Sequence, residues 1–152
     1  MKKLILTISF ALFAVFAFSQ SVNDYLEIQR GVLKTEKKAI VAEAMQLTDI
    51  ESKTFWPLYN EYSEKLYILD TKVYNLILKY SNDFEGLTNE QAIELWKENM
   101  KIKREMAKLE TTYFKKFQKI LTGNKLLRYF QLENKIETLV AAEMALEIPL
   151  AE

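Results

Sequence analysis

Apolar side chains recur at intervals of four and three along most of this chain, and that period is helical. The clearest stretch is Phe55, Tyr59, Tyr62, Leu66, Leu69, Val73, Leu76 and Tyr80, about seven turns of strict alternation and therefore a heptad-like seam. It predicts a helix from near Asp49 to near Asn82, where Ser81, Asn82, Asp83 and the later Gly86 form a turn-rich exit. Pro57 falls inside this pattern and has no N–H for the carbonyl of Lys53, so a bend or a fresh helix start is expected there. Leu95, Ile102, Met106, Leu109, Tyr113, Phe117 and Ile120 repeat the device and predict a helix over about Asn89 to Leu121. After the break at Gly123 and Asn124, a fourth segment to about Glu147 places Leu126, Tyr129, Leu132, Ile136 and Leu139 on one stripe, with Pro149 as its stop. Upstream, Tyr25, Leu26, Val32, Leu33, Ile40, Val41 and Ala44 predict a first helix over about Asp24 to Met45, with Gly31 as a weak point. No segment alternates with period two for long enough to suggest a strand. The expected architecture is all-α, four helices in elongated antiparallel hairpins. Helices two and three, each roughly 50 Å long, leave an open flank for a second copy or for a client.

The first residues do not belong to that pattern. Lys2 and Lys3 precede an apolar run from Leu4 to Phe18, with small residues at Ala17 and Ser19 before Gln20. These are the features of a secretory signal peptide, so residues 1–19 are expected to be removed near Ser19/Gln20, leaving a single helical domain over 20–152. The run is shorter than the roughly 20 residues that span a bilayer, and no second long apolar run follows. The expected location is the periplasm, without stable membrane insertion after cleavage.

Composition narrows the chemistry. The chain has no His and no Cys, which removes the Ser-His-Asp triad, the thiol nucleophile, the imidazole base and the preferred ligands of zinc, nickel and copper. Three widely separated glycines cannot assemble a phosphate loop or a dinucleotide fingerprint. Glu61 and Glu64 are paired carboxylates on a helix face, where solvation is the ordinary outcome. The expectation is a protein that is not an enzyme, with no cofactor and no metal.

Three Leu-Thr pairs stand at helix starts, Leu47-Thr48, Leu87-Thr88 and Leu121-Thr122. Thr48 with Glu51 and Thr88 with Gln91 have capping-box spacing, in which the hydroxyl accepts from the third helical N–H and the longer side chain reaches back to the cap residue's own N–H. At the third start Lys125 replaces the Glu or Gln, so no box forms, although Leu121 and Leu126 have the separation of a hydrophobic staple. Leu87-Thr88-Asn89-Glu90-Gln91, with the variant Leu47-Thr48-Asp49-Ile50-Glu51, resembles the LTxxQ-motif family of periplasmic proteins, the group of Spy and CpxP. The resemblance covers the whole chain after the leader in layout and two short motifs in residues. It implies a cradle-shaped antiparallel dimer acting as an ATP-independent chaperone or an envelope-stress adaptor. Related proteins sense metals, a property the absence of His and Cys puts in doubt here. The block from Phe55 to Tyr62 is also similar to exported Bacteroidetes proteins labelled sensors of ECF-type sigma factors, an association without a mechanism.

Charge is balanced overall, 21 basic against 21 acidic residues, but not along the chain. Between Lys97 and Arg128 ten Lys or Arg face only Glu98, Glu105 and Glu110, whereas the flanking segments are acidic. Nothing global points to nucleic acid. Lys97, Lys101, Arg104, Lys108, Lys115 and Lys119 fall two residues beyond seam positions, about 200° round the axis and so opposite the apolar side. One reading is a solvated face or one paired with the acidic helices; the other is a cationic surface that captures unfolded or acidic clients by long-range attraction. Trp56, Tyr67, Tyr74, Trp96 and Phe114 flank the seams as core, dimer or adhesive contacts, while Phe55, Tyr59 and Tyr62 read as plain core. The expected function is an exported chaperone-like or stress-adaptor protein whose partners are unfolded clients. The rival is a signalling accessory on the periplasmic part of a membrane sensor or anti-sigma factor.

Overall fold

A computed structural model describes residues 35–151. The expected leader, its expected cleavage point and the expected start of the first helix at Asp24 lie outside the described residues. The chain divides into two units, Met1–Ala44 and Met45–Glu152. The described residues are helical over 35–45 (α1), Asp49–Asp83 (α2), Asn89–Phe117 (α3) and Gly123–Glu147 (α4), with a 3-10 turn at Phe84–Gly86 and no strand among them.

Helix starts follow the caps. Thr48 and Thr88 both have extended backbones and close complete capping boxes with Glu51 and Gln91. Thr122 has the same extended backbone but makes no side-chain cap hydrogen bond, as expected with lysine at the third helical position. Pro57 does not start a new helix, because α2 runs unbroken through it. Pro57 and Lys53 are both exposed, so water can serve the carbonyl that the proline leaves without a donor. α3 ends at Phe117, four residues short of the expected Leu121. The N–H groups of Lys119 and Ile120 donate instead to the carbonyls of Lys116 and Phe117, at 3.2 and 3.0 Å, and tighten the last turn.

Within Met45–Glu152, α2 and α3 pack as an antiparallel pair across the 3-10 turn. α4 returns beside α2, since Phe55 and Tyr59 near the start of α2 meet Tyr129 near the start of α4. At the other end the Tyr80 hydroxyl donates to the Pro149 carbonyl at 3.0 Å. The core is concentrated where α2 and α4 begin and α3 ends. Phe55, Phe117 and Tyr129 are completely buried, and Phe117 lies 5.4 Å from Phe55 and 4.6 Å from Tyr129, ring centre to ring centre. Such edge-on and tilted pairs add to the effect of burial. Farther along the seam, Leu66, Val73, Leu76 and Tyr80 are only half-buried.

The α4 stripe needs correction. Leu139 is 69% exposed, and the inward register runs Leu126, Tyr129, Glu133, Ile136, Val140, with the first three buried and the last two half-buried. A glutamate therefore occupies a core position, and treating it as a surface residue rotates the stripe by one place toward Leu132 and Leu139.

Candidate functional site

At the end where α2 and α4 begin, two of the three Leu-Thr starts converge. The Thr48 N–H donates to Glu51 Oε2 at 2.9 Å, and the Glu51 N–H donates back to Thr48 Oγ1 at 3.3 Å. Lys125 Nζ reaches the same Glu51 oxygen at 2.5 Å and the Gln46 carbonyl at 3.5 Å. The lysine that prevents a third box thus ties α4 to the first box. It holds the Glu51 carboxyl down at about 2, with help from the Thr48 N–H. Leu87-Thr88 lies at the opposite end, where the Thr88 N–H donates to Gln91 Oε1 at 2.9 Å and the Gln91 N–H to Thr88 Oγ1 at 3.2 Å. All six motif residues, Leu47, Thr48, Glu51, Leu87, Thr88 and Gln91, sit at helix starts. The four polar ones direct their hydrogen bonds to the cap itself, or, for Glu51, also to Lys125. Leu47 and Leu87 are half-buried.

Glu61 forms a second tie, between α2 and α3. It accepts from the Tyr113 hydroxyl at 2.6 Å, from Lys65 at 3.1 Å and from Lys116 at 3.3 Å. Tyr113 first, then the two lysines, lower its carboxyl to about 2. Lys116 also stands 4.4 Å over the Tyr113 ring, a cation–π contact. Glu61 is thus engaged between helices rather than paired with Glu64, which is exposed.

Sequence reasoning missed Glu133, which is 6% exposed. Burial first, and the Glu133 charge second, push the hydroxyls of Tyr59, Tyr62 and Tyr129 well above the ordinary phenol range. The available signal was its register, seven residues after Leu126 and four after Tyr129. Among the described residues no group of three or more His, Cys, Asp or Glu is placed to hold a metal ion. A surface hollow at the α2–α3 turn, lined by residues 81–86 and Gln91, contains no basic side chain.

The basic stripe lies where the sequence put it. Lys97, Lys101, Arg104, Lys108 and Lys115 are exposed on α3, and Lys119 is exposed just beyond it. None of the six is in an ion pair within the described residues, in contrast to Lys65, Lys72, Lys116 and Lys125. Beside the stripe, roughly 90° round the axis at about 100° per residue, runs a second outward row. It comprises Ile93 at 56% exposure, Trp96 at 62%, Met100 at 39% and Phe114 at 41%. Of the five aromatics flanking the seams, Trp56, Tyr67 and Tyr74 are half-buried and Phe114 packs 5.3 Å from Phe130 of α4, ring centre to ring centre, so Trp96 alone of the five is a fully outward contact. Lys103 stands 6.0 Å over the Trp96 ring. Glu90, in the first turn of α3, stands in line with the stripe at its N-terminal end, and the other acids fall elsewhere on the helix. Glu94, Glu98 and Glu105 lie between the basic stripe and the seam, and Glu105 accepts from Lys72 of α2 at 2.6 Å. Beyond Glu90 the outer face of α3 is therefore cationic along its length, with exposed apolar side chains at Ile93, Trp96 and Met100 and with Phe114 shared with α4.

No family model, curated protein or solved structure matches the chain.

Proposed function

We propose that this protein is an exported helical binding protein that holds unfolded or partly folded clients without ATP, as a periplasmic chaperone or envelope-stress adaptor working as a pair of chains. The outer face of α3 carries the proposal. Its exposed cations have no acidic partner at ion-pair distance, and the adjoining row of Ile93, Trp96 and Met100 has the apolar side chains needed to hold what charge attracts. Long-range attraction raises the encounter rate, and short-range apolar contact sets the lifetime. The leader-like first residues, the capping motifs and the resemblance to the LTxxQ group support the same reading.

The test is light scattering of an unfolded model client with the protein at several molar ratios. Aggregation should slow in proportion to the protein added. Replacing Lys101, Arg104 and Lys108 together by Gln should weaken the effect, and added salt should weaken it in the unaltered protein. A protein that never delays aggregation at any ratio is not a chaperone of this kind.

A further inference from the structure

The geometry points to a lipid surface as a further partner: the outer face of α3 lies flat on an anionic phospholipid bilayer, with its basic stripe at the headgroup phosphates and Trp96 at the interface. This goes beyond client capture, because the occupant is a membrane and no client is needed.

The pattern is that of an interfacial helix. Such a helix combines an apolar row with lysines and arginines that flank it, and places tryptophan at the boundary between water and acyl chains. On α3 the apolar row has cations on both sides, with Lys103 on one edge and the six-residue stripe on the other. Between Gln91 and Gln118 no acid falls within the arc that holds the two rows; the four acids of that span lie nearer the seam. This face carries a one-signed charge complementary to lipid phosphate. Lysine stems can lie along the apolar row while their ammonium groups remain at headgroup level.

The apolar row is too sparse to enter the hydrocarbon as a span, and no helix among the described residues is long and apolar enough to cross a membrane. Binding is therefore peripheral. It leaves the seam of α3 on α2 in place, since Leu95, Ile102, Tyr113 and Phe117 stay buried on the opposite side. Within α3 this face runs from Ile93 to Lys115, about 34 Å at 1.5 Å per residue, so several headgroups can be engaged at once.

The experiment is co-sedimentation with vesicles of phosphatidylcholine alone and of phosphatidylcholine with phosphatidylglycerol. The full chain and the chain starting at Gln20 are run in parallel, so that residues 4–18 are separated from the effect of α3. Both should bind the anionic vesicles at low salt. The chain from Gln20 should leave neutral vesicles in solution. Each cation near such a surface changes binding about five-fold, so K101E, R104E and K108E combined should reduce anionic binding by about a hundredfold or more. With Trp56 replaced by Phe, the emission of Trp96 should shift to the blue on binding. The proposal is overturned if the chain from Gln20 does not sediment with anionic vesicles, if the triple reversal binds equally well, or if Trp96 emission does not move. The client assay contains no lipid and the vesicle assay no client, so the two readings fail separately.

Discussion

Truncating Phe117 to Ala tests the packing on which the site's rigidity depends. The side chain is completely buried, and its ring lies 4.6 Å from Tyr129, 5.4 Å from Phe55, 6.0 Å from Phe130 and 6.3 Å from Tyr62. It therefore touches α2 and α4 from α3. Removing a buried phenylalanine costs about 3 to 5 kcal/mol, from lost transfer energy and the cavity left behind. A domain of ordinary stability has about 5 to 15 kcal/mol in total, so this one change consumes a large share. With a urea slope of about 1.5 kcal/mol per molar, the midpoint should fall by about 2 M or more. Urea titration followed by helical circular dichroism measures this. Leu139→Ala is the matched control: at 69% exposure it should cost no more than about 0.5 kcal/mol. The pair also tests the rotation of α4, because the stripe read from sequence makes Leu139 a core residue. A Phe117→Ala loss below about 1 kcal/mol, or a Leu139→Ala loss above about 2 kcal/mol, would refute the packing.

Further predictions concern caps, pH and backbone strain. Thr88→Ala should cost about 1 kcal/mol in the same titration, whereas Thr122→Ala, whose side chain makes no cap hydrogen bond, should cost close to nothing. Glu51 and Glu61 are both lowered to about 2 by hydrogen bonds and lysines. Their contributions are fully present above the ordinary carboxylate value of about 4.3 and are lost as pH falls toward 2. Urea midpoints measured between pH 6 and pH 2 should decline across that window, and Lys125→Met together with Lys116→Met should flatten the decline. Gln46 has φ of 43° between α1 and α2, a left-handed conformation that a side chain disfavours by roughly 1 kcal/mol. Gln46→Gly should raise thermal stability despite glycine's greater freedom in the unfolded chain, and a fall would show that the side chain has a further role.

The seams of α2 and α3 were legible in the sequence because each repeats one apolar position per half-heptad, without interruption in α2 and with Asn99 as the single polar member in α3, and the caps at Thr48 and Thr88 because their box partners are local. α4 was misread for a physical reason. Periodicity analysis sorts residues by polarity, so a buried carboxylate looks like an interruption. Glu133 displaced the stripe to Leu132 and Leu139, although Tyr129 and Ile136 stand in register with it. The ties of Lys125 to Glu51 and of Tyr113 to Glu61 span 74 and 52 residues, and no local pattern announces them. At Pro57 the local rule offered a bend or a fresh helix start, and the unbroken α2 rules out the fresh start. The basic stripe was placed correctly, since its spacing alone fixed it opposite the seam. Its apolar neighbour went unrecognised because Trp96 was grouped with the aromatics that flank the seams, and Ile93 and Met100 were not singled out.

Folding and recognition use different parts of the same helices. The residues sealed at the aromatic end, Phe55, Tyr59, Tyr113, Phe117 and Tyr129, determine whether the bundle forms. The six cations of the basic stripe point away from that core and form no ion pair within the described residues, so each should be replaceable at about 0.5 kcal/mol or less. The Lys101, Arg104 and Lys108 to Gln variant should accordingly keep its urea midpoint and helical signal while losing affinity for clients or anionic vesicles. Should that variant unfold instead, the stripe would be a structural element and loss of binding would carry no information about it. A protein that retains full stability and loses binding would show that α3 is held by one side and used by the other.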